Sequence, residues 1–202
     1  MGDALPGPRL MSGHFEALPG GGAAVPLDEV EVSILRSLAV QLLELIGPGD
    51  QPAQGEDPLA ALFRDGPSEP PADPALARLF PNAYADDDEE LRAASAEFRR
   101  FTENDLRARK RQDAVAVVRS LDALGVAGEG GAVLKLSAED SRHWLGALND
   151  LRLTIGTRLE VTDEDENDDL YRLPDSDPRK PMVMAYLWLG ALQETLVETL
   201  MP

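Results

Sequence analysis

The chain has 202 residues, of which 43% are hydrophobic and 28% charged, enough length and apolar content to build a buried core. Its 37 Asp and Glu against 19 Lys and Arg give a formal net charge of -18. Such a surface repels phosphate backbones and anionic membranes, so direct nucleic-acid binding and membrane attachment are not expected. There is no cysteine, which removes disulfides, thiolate nucleophiles, zinc-thiolate sites and thiol switching.

Residues 1–13, rich in Gly and Pro, are expected to be disordered, ahead of one helical domain over 14–202. The start "MGDALPGPRLMSGHF" lacks the charged head and apolar block of a signal peptide. Pro6 stands where a myristoylation site needs Ser or Thr, and no apolar run reaches the ~20 residues of a membrane span. A cytoplasmic protein is expected. "HFEALPGGGAAVPL" reads as a small hairpin around Gly20–Gly22. Asp28 and Glu31 form an acidic capping box before a helix carrying Leu35, Leu38, Leu42 and Leu45 on one side and stopping at Gly47-Pro48. Eight of the 16 prolines lie between Pro48 and Pro81, so 47–84 is read as a Pro-rich connection without a long helix. Within it "DPLAALF" and "DPALARLF" each open with Asp-Pro, an N-cap and N1 pair, and predict two short helical anchors.

The longest stretch without a breaker follows. Five acids, Asp86–Glu90, sit where a helix has its positive dipole end. Leu91, Ala94, Phe98 and Phe101 make a first apolar stripe, and Val115, Val118 and Leu121 a second. The stripe loses register at Thr102–Asp105, which predicts a bend there. "GEGGAVLKL" reads as a short strand that pairs with the hairpin. Ser137 and Asp140 cap the next helix, "VTDEDENDDLYRLPDSDPRK" is an acidic loop, and a last helix starts at Pro181. That helix is apolar almost all round as far as Leu192, which predicts burial on every side. The fold expected is mainly α: a bundle of about four main helices plus short helices, with a small N-terminal β-hairpin.

Motifs for chemistry are sparse. Asp163, Asp165 and Asn167 match the first ligands of a calcium loop, but Asp168 replaces its turn glycine and Pro174 its bidentate Glu. The loop is read as solvated, with no metal and no cofactor expected. His14 and His143 stand apart, with no second ligand beside either. No phosphate-binding loop, nucleophile elbow or dinucleotide fingerprint is present, so no catalytic residue is assigned. Arg99, Arg100, Arg107, Arg109, Lys110 and Arg111 place six basic residues within 13 positions. That sign contrast fits either a docking face for an acidic partner or internal neutralisation of acidic segments. Arg152 shares a helix face with Leu145, Leu148, Ile155 and Leu159. A guanidinium set among leucines needs a partner, and Glu97, Glu103 and Glu194 are the candidates. Trp144, Asn149, Asp150, Arg152 and Arg158 are taken as structural polar residues.

Several segments together resemble the actinobacterial AosR family of oxidative-stress regulators, long described only as a domain of unknown function. They are "PLDEVEVSILRSL", "DPLAALF", "DPALARLFPNAY", "AEFRRFTENDLRARK", "WLGALNDLRLTIGTRLEVTDE" and "YLWLGALQETLVETL". The run from Trp144 to Leu159 is the most distinctive of them. The resemblance implies a cytoplasmic helical protein without enzymatic activity, some of whose relatives act on transcription by associating with a sigma factor. It also implies a redox switch made of an N-terminal cysteine pair, which this chain lacks. The expected function is therefore a non-enzymatic regulator acting through protein–protein interaction in transcriptional control of the oxidative-stress response. Its partner is a sigma factor or another transcription component. Two rivals are an adaptor subunit of a larger complex and a metal-assisted hydrolase built from carboxylates.

Overall fold

The computed structural model describes residues 13–48, 66–85, 88–124, 131–161, 170 and 172–201. Among them are strands β1 (Glu16–Ala17), β2 (Ala23–Leu27) and β3 (Ala132–Leu136). The helices are α1 (Glu29–Ile46), α2 (Pro74–Leu79), α3 (Glu89–Asp122), α4 (Ala138–Arg158) and α5 (Lys180–Leu200). The protein is mainly α, as the sequence predicts.

The hairpin forms, and β3 joins it as a third antiparallel strand in the order β1-β2-β3. Val25 faces Leu134 and Ala23 faces Leu136 across the β2–β3 ladder, and all four are buried. The turn between β1 and β2 needs glycine. Gly22 has φ 93°, and a Cβ there would come 2.2 Å from the Leu136 carbonyl oxygen.

Side-chain caps open α1, α3 and α4, whereas α5 starts at Lys180-Pro181 without one. Asp28 accepts from the Glu31 amide at 2.8 Å and Glu31 accepts from the Asp28 amide at 2.9 Å, the reciprocal capping box. Ser137 accepts from the Asp140 amide at 3.0 Å and opens α4. Asp73 accepts from the Ala75 and Leu76 amides and, with Pro74 at the first turn, forms the short helix predicted for "DPALARLF". The matching "DPLAALF" segment lies outside the described residues, as do residues 1–12 and the acidic residues 162–169.

α3 is one continuous helix from Glu89 to Asp122, and the loss of register at 102–105 marks a change of buried face. The face turned inward there is charged, with Arg99 and Glu103 taking positions that an apolar stripe would fill. One expectation is corrected: α5 is not buried all round. Val183, Trp188, Leu189, Leu192 and Leu196 enter the core, whereas Met182, Met184 and Leu187 lie on the exposed side. Hydropathy alone overstated its burial, because an apolar helix can keep one face in contact with water.

α4 is the hub, packing on α1, α2, α3, α5 and β3. Trp144 lies at its centre, fully buried. Its ring meets Phe15 edge to face with centroids 6.1 Å apart, and its indole nitrogen donates to Ser120 Oγ at 3.3 Å. The Phe15 amide in turn donates to Thr195 Oγ1 at 3.1 Å, which ties the hairpin to α5.

Candidate functional site

The six basic residues of α3 part company. Arg99 is buried and pairs with Glu103, one turn along the helix, which is buried too. Arg99 also donates to the Phe80 carbonyl at 3.0 Å and to Asn82 Oδ1 at 2.8 Å. Glu103 takes a second guanidinium, Arg107, at 2.6 Å. One carboxylate between two arginines leaves a positive surplus, and the backbone absorbs it. Arg107 donates to the Ile46 carbonyl, and Arg111 to the carbonyls of Leu43 and Gly47. These groups sit at the C-terminal end of α1, where the helix dipole is negative and no basic side chain of α1 itself occupies the last turn. The Arg107 guanidinium also lies 4.4 Å from the centre of the Phe80 ring. Arg100 and Arg109 remain exposed, nine residues apart and so on opposite sides of the helix.

The fourth inward cation reaches α4. Lys110 Nζ lies 2.6 Å from Asp150 Oδ1, with Asp150 buried and its other carboxylate oxygen without a hydrogen bond. Burial pushes the Asp150 carboxyl above the usual carboxylate range. Lys110 opposes that shift, and the nearby Asp113 adds to it. Asp113 is itself buried and meets His143 Nδ1 at 2.7 Å. Gly146 makes room for it, since a Cβ there would stand 2.5 Å from Asp113 Oδ2. His14 faces Glu16 at 3.3 Å on the surface. Among the described residues no group of three His, Asp or Glu converges in a way that could hold a metal.

Among the described residues Arg152 has no carboxylate partner, and Glu97, Glu103 and Glu194 do not take that role. Its Nη1 donates to Gln193 Oε1 at 2.6 Å, and its guanidinium lies 5.4 Å from the centre of the Tyr186 ring. The residue still joins α4 to α5, through a neutral amide and an aromatic face. Asn149 belongs to the same contact, accepting from Gln193 Nε2 at 3.5 Å. Arg158 pairs with Asp73 at 2.6 Å and links α4 to the cap of α2. Sequence reasoning read Asp73 only as a helix cap and missed its pairing with Arg158, as it missed Asp113 and Gln193, because the partners lie 30 or more residues away. The Arg99–Glu103–Arg107 row did carry a signal, namely opposite charges spaced at i, i+4.

With this geometry in place, the comparisons with known proteins can be read against it. The sequence matches, over residues 12–200, the family described as Domain of unknown function (DUF2017). It is 31% identical over 182 residues to the oxidative stress regulator AosR of Mycobacterium bovis, spanning 85% of this chain and 78% of that protein. The AosR of Mycobacterium tuberculosis gives the same figures. The chain belongs to the AosR family. No solved structure matches it. Its relatives are named as regulators, which supports a regulatory role here. Among the described residues, no helix is long and apolar enough to cross a membrane.

Two outcomes follow from the charges. Asp150→Leu should destabilise the fold by about 3 kcal/mol, since it strands Lys110 beneath the surface, and adding Lys110→Met should recover most of that loss. Urea unfolding of both variants measures the difference. Asp73 should behave in the opposite way to Asp150 with pH. Arg158 and the α2 amides hold its carboxyl below the usual range, so its contribution is complete above the ordinary carboxylate pKa and is lost as pH falls through the depressed value. Asp73→Asn, which keeps the cap, should therefore lower the melting temperature at pH 7, and the difference from the parent should shrink as pH falls through that depressed value.

Proposed function

We propose that this protein is a non-enzymatic, cytoplasmic regulator that binds another protein of the transcription apparatus during oxidative stress, with no thiol switch of its own. The observation that carries this reading is the outer side of α3. Phe98 and Phe101 are 51% and 64% exposed there, with Leu106 at 38% beside them. Arg100 lies next to Phe101, its guanidinium 5.7 Å from the ring centre, and Arg109 stands exposed two turns further on. Phe98, Phe101 and Arg109 share one helix face, and aromatic and arginine side chains so grouped are the composition of protein-interface anchors. The inward arginines of the same helix fix that face by locking its rotation against α1 and Phe80. Of the six basic residues, Arg100 and Arg109 are the two we assign to partner contact.

A second surface, the exposed Met182, Met184 and Leu187 of α5, favours the adaptor reading. The two are separated by a photo-crosslinking amino acid placed at position 101 or at position 184, followed by mass spectrometry of the captured proteins with and without peroxide. Crosslinks from position 101 to a sigma factor or an RNA polymerase subunit are expected. Phe98→Ser with Phe101→Asp should weaken that capture roughly tenfold or more without changing the melting temperature. Capture from position 184 alone, or capture indifferent to the phenylalanine changes, would move the interface away from α3.

A further inference from the structure

A solvent-open cleft of about 580 Å³ lies between α2, α4 and α5, and Arg78, Asn149, Arg152, Glu160 and Tyr186 are on its walls. Its size falls within the range of small-molecule sites. Arg36, Arg99, Arg107, Arg158 and Arg179 each pair with a carboxylate. The two arginines of the cleft do not. Among the described residues Arg152 makes one hydrogen bond, to the neutral Gln193, and its Nε is buried without a partner. Arg78, exposed at the end of α2, makes no ion pair with any described residue.

The guanidinium of Arg152 is held in place before any ligand arrives. The Tyr186 ring lies 5.4 Å from it and Gln193 fixes one nitrogen. Gln193 also engages Asn149 through the Asn149 side-chain oxygen. Among the described residues on the cleft walls Glu160 is the one carboxylate, and part of its field falls on Arg179. Against it stand the two guanidinium groups of Arg78 and Arg152.

We propose that this cleft binds a small organic anion, a di- or tricarboxylate or a phosphate ester, with Arg152 and Arg78 taking its anionic oxygens and Tyr186 covering its carbon skeleton. Guanidinium forks match both carboxylate and phosphate geometry. A polyanion such as nucleic acid meets the acidic surface around the cleft and is disfavoured, whereas a small anion pays little for that field. The proposal is independent of the protein-docking reading, because α3 contributes no residue to the cleft walls.

The test is calorimetric and thermal-shift titration of the purified full chain with succinate, citrate and inorganic phosphate, each against sodium chloride at matched ionic strength. Saturable binding of at least one of the three, with a raised melting temperature, is expected. Succinate or citrate alone would assign a carboxylate ligand, and phosphate alone a phosphate ester; either supports the site. Arg78→Gln, at an exposed position, should leave the melting temperature of the free protein unchanged and weaken binding about tenfold. Arg152→Gln should weaken it at least as much, Glu160→Gln should tighten it, and Arg142→Gln, on α4 but outside the cleft walls, should do neither. Absence of saturable binding by all three anions, or binding unmoved by both Arg78→Gln and Arg152→Gln, would overturn the proposal.

Discussion

A row of charges buried along one side of α3 organises the molecule. Arg99, Glu103, Arg107 and Arg111 run down the helix at a spacing of four, with Glu103 between two of the arginines and each arginine reaching a different neighbour. Arg99 secures Phe80 and Asn82 at the end of the Pro-rich connection, and Arg107 and Arg111 secure the open carbonyls at the end of α1. Lys110, next in the row, secures α4 through Asp150. Buried charges cost desolvation energy that apolar residues would not. In return they bind groups that apolar residues cannot, since helix-end carbonyls need donors. A long helix with so polar an inner face can hold the bundle because its partners present backbone oxygens as well as side chains.

The arrangement explains a paradox of composition. The sharpest cluster of positive charge in an acidic protein is mostly turned inward, so it neutralises internal negative poles and contributes little to the outer field. What remains outside on α3 is aromatic, with Arg100 and Arg109 at its margin. The chain carries no sulfur chemistry beyond methionine.

Much of the architecture was readable from the sequence, for local reasons. The Asp28–Glu31 and Ser137–Asp140 caps, the Asp73-Pro74 start and the Gly20–Gly22 turn are decided by residues within a few positions of one another, and each formed as read. The direction of the α3 cations was not readable, because the same spacing suits an exposed basic stripe and a buried one. Their acceptors, the carbonyls of Leu43, Ile46 and Gly47, carry no residue signature. Arg152 failed for a related reason. The search was for a carboxylate, and the residue settled for an amide and a ring that only the packing of α4 on α5 brings near.

The central claim is that the inward charges of α3 are what hold α1 and the Pro-rich connection to the bundle, and Glu103 is the point at which they meet. Glu103→Gln keeps the shape and removes only the negative charge between Arg99 and Arg107. Urea unfolding, combined with amide hydrogen exchange of the last turn of α1, tests the claim directly. The account predicts a loss of about 3 kcal/mol, with faster exchange at Leu45, Ile46 and Gly47 as Arg107 loses its anchor. A variant within about 0.5 kcal/mol of the parent, a change typical of an ordinary surface site, and with unchanged exchange at the end of α1, would contradict it.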